Sequence, residues 1–238
     1  MIFAGILAGG VGSRMNIVDM PKQFLPLQDK PIIIHTLEKF LLSNEIDYIY
    51  IGVHPKWVIH MEDLVKKYVA PFADKIVLVP GGGDRNDTIE NIINAISEKH
   101  EITDEDIILT HDAVRPFITS RIIADNIEAA KKFGACDTVI GSTDTIVVSE
   151  DGETISNIPL RSTMYQGQTP QSFNLALIKD LYSKVTPEEK AILTDACKIC
   201  VLKNVPVHLV QGEIYNLKIT TITDYKIANH LIGGNQVD

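Results

Sequence analysis

The chain has 238 residues, 45% of them hydrophobic, and a formal net charge of −9 from 22 basic and 31 acidic side chains. This length and apolar content allow a sizeable core and exclude a disordered chain, and the acidic balance argues against non-specific nucleic-acid binding, which needs a basic face. No apolar run approaches the roughly 20 residues of a membrane helix and the N-terminus lacks a signal-peptide pattern, so a soluble, cytoplasmic protein without membrane insertion is expected.

Ile2–Leu7 is an apolar run with the character of a buried strand, and it stops at Ala8-Gly9-Gly10, with Gly12 beyond. Glycines let the backbone turn sharply and approach a ligand, and their amides form an anion-binding concavity. Two cations follow, Arg14 and Lys22. Pro31 suits a helix start, and Ile33, Ile34, Leu37, Phe40 and Leu41 keep helical spacing. Tyr48–Val53 is a predicted strand, Val58–Tyr68 a surface helix and Ile76–Val79 a short strand. A second glycine loop, Gly81-Gly82-Gly83-Asp84-Arg85-Asn86-Asp87, precedes a helix capped by Asp87 or Thr88 and striped with Ile89, Ile92, Ile93 and Ile96. Three glycines and an arginine at a helix N-terminus suit an anion.

Asp106–Thr110 is the next predicted strand, ending in His111-Asp112-Ala113-Val114-Arg115-Pro116. A helix is expected from Ser120 to Phe133, closed by Gly134, with a strand at Thr138–Gly141. Asp144–Ser149 and Thr154–Ile158 flank an Asp-Gly turn signal and predict a hairpin arm, which packs on another subunit or folds over the site. Arg161 to Phe173 is polar and turn-rich. Helices are expected at Leu175–Tyr182, from Pro187, at Ala191–Leu202 and at Asp224–Leu231, with a short strand at Pro206–Gln211 and a polar-apolar alternation at Asn216–Thr221. Cys136, Cys197 and Cys200 match neither a disulfide framework nor a zinc site, and the C-x-x-C lies inside a helical pattern, so packing is their expected role.

Alternating strands and helices predict an α/β fold, a doubly wound, mostly parallel sheet in one domain spanning 1–238, with the arm inserted at about 144–166. Ligands in such sheets bind beyond the carboxyl ends of the strands. The three polar loops, Ala8–Lys22, Gly81–Asp87 and His111–Arg115, all follow strands and are therefore expected to meet at one edge.

The first glycine loop is not a P-loop, because no Lys-Ser/Thr follows its glycines. It is a poor dinucleotide fingerprint, because Met15 replaces the third glycine and the second strand ends in Val53-His54 without an acid. Seven ordered segments carry a different resemblance: L-A-G-G-V-G-S-R-M at Leu7–Met15, P-K-Q-F-L-P-L at Pro21–Leu27, G-G-G-D-R-N-D-T at Gly81–Thr88, H-D-A-V-R-P-F at His111–Phe117, T-D-T at Thr143–Thr145, Q-T-P-Q-S-F at Gln168–Phe173 and N-L-K-I-T-T at Asn216–Thr221. Together they resemble the cytidylyltransferase family that includes the methylerythritol-phosphate and ribitol-5-phosphate enzymes. Met164–Gln168 and Gly212–Tyr215 look more like the ribitol-5-phosphate group of teichoic acid (cell wall) synthesis.

The resemblance implies a Rossmann-like nucleotidyltransferase sheet, Mg2+ as cofactor, and the reaction of CTP with a polyol phosphate to a CDP-linked product and pyrophosphate. It implies a homodimer through the arm and an association with the enzyme that supplies ribitol-5-phosphate. It assigns Arg14, Lys22 and Lys218 to catalysis. CTP binding falls to Leu7, Ala8, Gly9, Gly10, Gly81, Gly82, Gly83, Asp84, Arg85, Asn86, Asp87, Thr88 and Asp112, with Asp112 also on the metal. The acceptor phosphate falls to Arg115, Thr145, Arg161, Thr169 and Lys218, with Arg161 serving the partner's site if the arms swap. His111 is expected to be structural, since Mg2+ prefers oxygen. The alternatives are methylerythritol phosphate as acceptor, a catalytically silent nucleotide-binding regulator, and an NAD-dependent oxidoreductase, which the missing glycine and acid disfavour.

Overall fold

The computed structural model describes residues 1–10 and 20–233. Their centre is a seven-stranded sheet flanked by helices on both faces. The strands are β1 (Ile2–Ala8), β4 (Tyr48–Val53), β5 (Ile76–Pro80), β6 (Ile107–Asp112), β7 (Ala135–Gly141), β8 (Tyr165–Asn174) and β9 (His208–Gln211), in the order β5-β4-β1-β6-β8-β7-β9. Short strands β2 (Pro26–Leu27) and β3 (Lys30–Pro31) form a separate antiparallel pair. β5, β4, β1 and β6 run parallel, as do β7 and β9, while β8 is antiparallel to both neighbours. The sheet is thus mostly parallel, as the alternation of elements predicts.

β1 is apolar on both faces because both are covered. Ile2, Ala4, Ile6 and Ala8 enter one core and Phe3 the other. The first core takes the apolar stripes of α1 (Ile32–Leu41), α2 (Val58–Tyr68) and α4 (Ser120–Phe133). The second takes α3 (Arg85–Lys99), α5 (Leu175–Ser183) and α7 (Ala196–Leu202). Each fully buried Ile, Leu or Phe contributes roughly 1.5–3 kcal/mol relative to exposure. The short helix α6 (Pro187–Ala191) opens on a Thr186–Glu189 capping box. The last helix, α8 (Ile222–Gly233), buries Ala228 against a third cluster with Leu27, Val114 and Ile219.

Several expectations need correction. Pro31 stands before the first helical residue, as N-cap, rather than at the first position. Asp84 caps α3 by accepting a bond from the Asp87 amide at 2.8 Å, so that helix begins at Arg85. The expected helix at Ala191–Leu202 is broken, and α7 starts only at Ala196 behind the Asp195 cap. The arm keeps its turn, with Gly152 at φ 75°, but its strands reduce to one antiparallel bridge between Val148 and Asn157. The polar stretch ending at Phe173 is not a loop: most of it is β8, between β6 and β7 in the sheet. Asn216–Thr221 is not a strand.

The cysteines are buried and unpaired, and burial raises their thiols, to about 12 for Cys136 and about 11 for Cys200. They are packing residues, as expected.

Candidate active site

The carboxyl ends of β1, β4, β5 and β6 open onto one cavity of about 430 Å3. Leu7, Gly9 and Gly10 line it after β1, His54 after β4, Gly82, Gly83, Asp84, Arg85 and Thr88 after β5, and Asp112 and Val114 after β6. Lys22, Gln23 and Lys218 complete the wall. The three polar loops therefore converge as the topology predicts. Arg14 lies outside the described residues.

The first wall is the turn after β1. Gln23 is buried and donates from Nε2 to the carbonyls of Ala8 at 2.8 Å and Gly10 at 3.0 Å. This fixes the Lys22–Phe24 turn, and with it Lys22, against the glycines. The second wall is the loop before α3. A Cβ on Gly81 would stand 3.3 Å from the Gly9 Cα, so the two glycine loops touch through bare backbone. A Cβ on Gly82 would lie 2.2 Å from that of Asp87. The Gly82 amide donates to Thr88 Oγ1 at 3.0 Å, and that hydroxyl donates to the Asp84 carbonyl at 2.8 Å. The loop is thus tied to the first turn of α3, whose N-terminus favours an anion.

The floor is Asp112, at the end of β6 and 7% exposed. Its Oδ1 faces Arg85 Nε at 3.6 Å, and its Oδ2 faces Lys218 Nζ at 3.0 Å and Arg115 Nε at 3.4 Å. Burial pushes this carboxyl up, but the charges of Arg85, Lys218 and Arg115 outweigh it and hold the group well below the usual carboxylate range. A buried carboxylate with three cationic neighbours stays ionised and fixes their directions. Lys22, Arg85 and Lys218 against Asp84 and Asp112 leave a cationic lining, suited to an anion although the whole chain is acidic.

Lys218 is carried there by a fastened segment. Arg115 Nη1 donates to the Asn216 carbonyl at 2.7 Å, Asn216 Nδ2 donates to the Thr169 carbonyl at 2.9 Å, and the Ile219 amide donates to the Val114 carbonyl at 2.9 Å. Arg115 and Thr169 are buried behind the cavity and do not line it. The Thr169 hydroxyl accepts from the Asp112 amide at 3.2 Å and bonds His111 Nδ1 at 2.9 Å. His111 is a neutral structural group: burial lowers its pKa to about 4, and its other nitrogen meets the Arg115 carbonyl.

The remaining candidates lie elsewhere. Asn86 turns into the core, where its Oδ1 accepts from the Tyr182 hydroxyl at 2.9 Å. Asp87 pairs with Lys190 at 2.6 Å. Ala8 and Gly81 are not in the lining, although both lie in its loops. Thr145 is exposed on the arm. Arg161 donates to the Thr143 carbonyl at 3.3 Å and borders a separate surface cavity with Ser142 and Tyr165. Gln23, His54 and Val114 received no role from the sequence. Gln23 stands inside the quoted P-K-Q-F segment, and His54 directly follows a predicted strand, so position alone could have flagged both.

For a divalent cation the donor set is narrow. Among the described residues no group of three His, Cys, Asp or Glu side chains could hold one. Asp112 is an ionised, cavity-lining carboxylate, and as a single ligand it fits a Mg2+ ion that brings most of its shell as phosphate oxygens and water.

A family model for 2-C-methyl-D-erythritol 4-phosphate cytidylyltransferase matches residues 2–233. The fold is similar to the 4-diphosphocytidyl-2C-methyl-D-erythritol synthase of Anaerococcus prevotii, at 28% identity and a TM-score of 0.81, over 98% of this chain and 96% of that one. It is also similar to the 2-C-methyl-D-erythritol 4-phosphate cytidylyltransferase of Francisella tularensis, at 26% identity and a TM-score of 0.77, over 96% and 98% of the two chains. The enzyme of the same name from Thermus thermophilus, at 23% identity and a TM-score of 0.72, over 96% and 98%, shares the fold.

Proposed function

This chain belongs to the 2-C-methyl-D-erythritol 4-phosphate cytidylyltransferase family, and on that premise we propose that it joins CTP to D-ribitol 5-phosphate, giving CDP-ribitol and pyrophosphate. The observation that carries the cytidylyl transfer is the convergence of both glycine loops, Lys22, Arg85 and Lys218 around one buried carboxylate. The acceptor rests on the segments Met164–Gln168 and Gly212–Tyr215, which resemble the ribitol-5-phosphate enzymes of cell-wall teichoic acid synthesis. Methylerythritol phosphate is the second reading. The matched family and the structural relatives bear its name, so the comparisons favour it over ribitol-5-phosphate.

A phosphate oxygen of the acceptor attacks the α-phosphorus of CTP. A new P–O bond forms, the bond to the β-phosphate breaks, and pyrophosphate leaves with the electron pair. Little covalent chemistry falls to the protein, so its residues act by positioning and charge. The first glycine loop binds the triphosphate, with Lys22 and Arg14 meeting charge that builds on its oxygens, and the Gly81–Thr88 loop holds the cytosine and ribose through backbone groups and Arg85. Arginine forks across two oxygens and lysine supplies a mobile point charge. Lys218, held by Asp112, reaches toward the acceptor phosphate. Mg2+ would be held by Asp112 and the phosphates, and it would neutralise charge on the leaving group.

Arg161 and Thr145 belong to a second copy's site in this scheme. The arm around them exposes Val147, Ile155, Ile158 and Leu160, apolar surface that a two-fold partner would cover. An enzyme supplying the polyol phosphate is a further partner in the same scheme.

Incubation with CTP, Mg2+ and each acceptor in turn, read as pyrophosphate release, tests the proposal. Release with ribitol-5-phosphate at a kcat/KM at least about tenfold above that with methylerythritol phosphate supports it. Release with methylerythritol phosphate alone establishes the second reading.

A further inference from the structure

Lys218 sits on a stretch, residues 212–221, that forms neither helix nor strand between β9 and α8. Such a stretch has no ladder of its own, so its course is set by the tertiary bonds it makes. At its entry, Glu213 is bonded through both side chain and backbone. Its Oε1 accepts from the Thr119 hydroxyl at 3.0 Å, from Arg121 Nη2 at 2.9 Å and from Arg121 Nε at 3.2 Å. Its carbonyl accepts from Gln168 Nε2 at 2.8 Å and from the Asn216 amide at 3.0 Å. The same guanidinium donates to the Gln211 carbonyl at 3.1 Å and meets Asp125 at 2.7 Å. A Cβ on Gly212 would stand 2.4 Å from Gln168 Oε1, so the chain passes against β8 with bare backbone.

We infer that Glu213, held by Arg121 and Thr119, is a positioning residue that sets where Lys218 stands in the cavity. The path between them is short and continuous. The Glu213 carbonyl closes a turn onto the Asn216 amide, and Asn216 is buried with its Nδ2 on Gln168 Oε1 at 3.2 Å and on the Thr169 carbonyl at 2.9 Å. The Asn216 carbonyl takes Arg115 Nη1, and Arg115 and Lys218 then meet on Asp112 Oδ2. Glu213 and Arg121 do not line the cavity, and their side chains are 32% and 44% exposed. A pair so exposed adds little to stability. Its use lies in orientation. Three donors converge on one oxygen at the N-terminus of α4, where negative charge is favoured, and this registers the entry of the stretch against the helix. A misplacement of about 1 Å can cost a reaction about 100-fold, so a distant tie of this kind acts on turnover.

The inference rests on the cavity transferring a cytidylyl group with Lys218 at the acceptor phosphate. Wild type, Glu213→Ala, Arg121→Ala, Lys218→Ala and the Glu213→Ala/Lys218→Ala double variant are compared. Acceptor kcat and KM are read by pyrophosphate release with D-ribitol 5-phosphate and with methylerythritol phosphate, and the CTP dissociation constant by calorimetry without acceptor. Glu213→Ala and Arg121→Ala are each expected to lower acceptor kcat/KM about tenfold while the CTP dissociation constant stays within about twofold. Lys218→Ala should show the same split more strongly, and Glu213→Ala should add less than about twofold to it. Losses that multiply in the double variant, or that fall equally on CTP binding and acceptor turnover, overturn the inference. If circular dichroism shows Glu213→Ala to be misfolded, Glu213→Gln, which keeps the side-chain length and removes the charge, carries the cycle, with an expected loss of about threefold. Wild-type protein that releases pyrophosphate with neither acceptor overturns the functional reading and this inference with it. Wild-type turnover matched by the Glu213 and Arg121 variants overturns this inference alone.

Discussion

At the scale of single residues, the site depends on one buried anion and the cations it directs. Asp112 faces Arg85, Arg115 and Lys218 within 3.0–3.6 Å. Replacing it with Asn leaves those charges uncompensated in a buried place, which costs about 3–5 kcal/mol when one partner of a buried pair is lost. Asp112→Asn is therefore expected to melt at lower temperature and to lose more than about 100-fold in kcat, measured by calorimetry and by pyrophosphate release. Lys22 differs. It lines the cavity on the turn that Gln23 fixes against the first glycine loop. Lys22→Ala should lower kcat by about 100-fold or more while the CTP dissociation constant moves only a few-fold. Equal small effects on both would favour a silent nucleotide-binding module. Asp112 and Lys218 could be picked out from sequence because each sits in a short polar motif at an element's edge. Their contact could not, because the two lie far apart in the chain and are brought together by tertiary bonds such as Arg115–Asn216 and Ile219–Val114.

At the scale of elements, loops and strands differed in how readable they were. The glycine loops announce themselves, since a Cβ on Gly82 would collide with Asp87 and one on Gly81 would crowd Gly9. Gly82→Ala must displace the loop or Asp87, and it is expected to weaken CTP binding about tenfold while melting within a few degrees of wild type. Isothermal titration and thermal denaturation on the same sample would check both. Gly134, at φ 83°, likewise marks the end of α4 correctly. β8 was unreadable for a physical reason. A strand is recognised by apolar alternation, whereas β8 buries Gln168, Thr169, Gln171 and Ser172. Gln168, Thr169 and Ser172 are tolerated there because distant groups satisfy them: Gln168 donates to the Glu213 carbonyl, Ser172 to Asn126, and Thr169 bonds His111. Nothing local in the sequence reports such partners. The arm failed in the opposite direction, because its alternation and Asp-Gly turn predict strands but one bridge is all the described residues make.

At the scale of the whole molecule, two buried titrations oppose each other. His111, lowered to about 4 from 6.5, is neutral in the fold and binds a proton when unfolded, so it favours the folded state less as pH falls from 6.5 to 4. Asp137, raised to about 7 from 3.8, is protonated in the fold over the same range, so its contribution grows as pH falls from 7 to 4. Wild-type stability should therefore change little between pH 7 and 4 from this pair. Asp137→Asn removes one side of the balance. Its melting temperature relative to wild type should fall on acidification from pH 7 to 4, by several degrees. A constant difference across that range would refute the assignment. The parallel strands, which place all the ligand-facing loops on one edge, were legible as a class from the alternation of elements.

The central claim is that this edge transfers a cytidylyl group to a polyol phosphate. Phosphorus NMR of a reaction containing CTP, Mg2+ and D-ribitol 5-phosphate tests it most directly. The expected result is that the α-phosphorus of CTP is recovered in a diphosphate diester, with one pyrophosphate formed per diester. An α-phosphorus that stays in CTP with this acceptor, or is released as CMP, would contradict it.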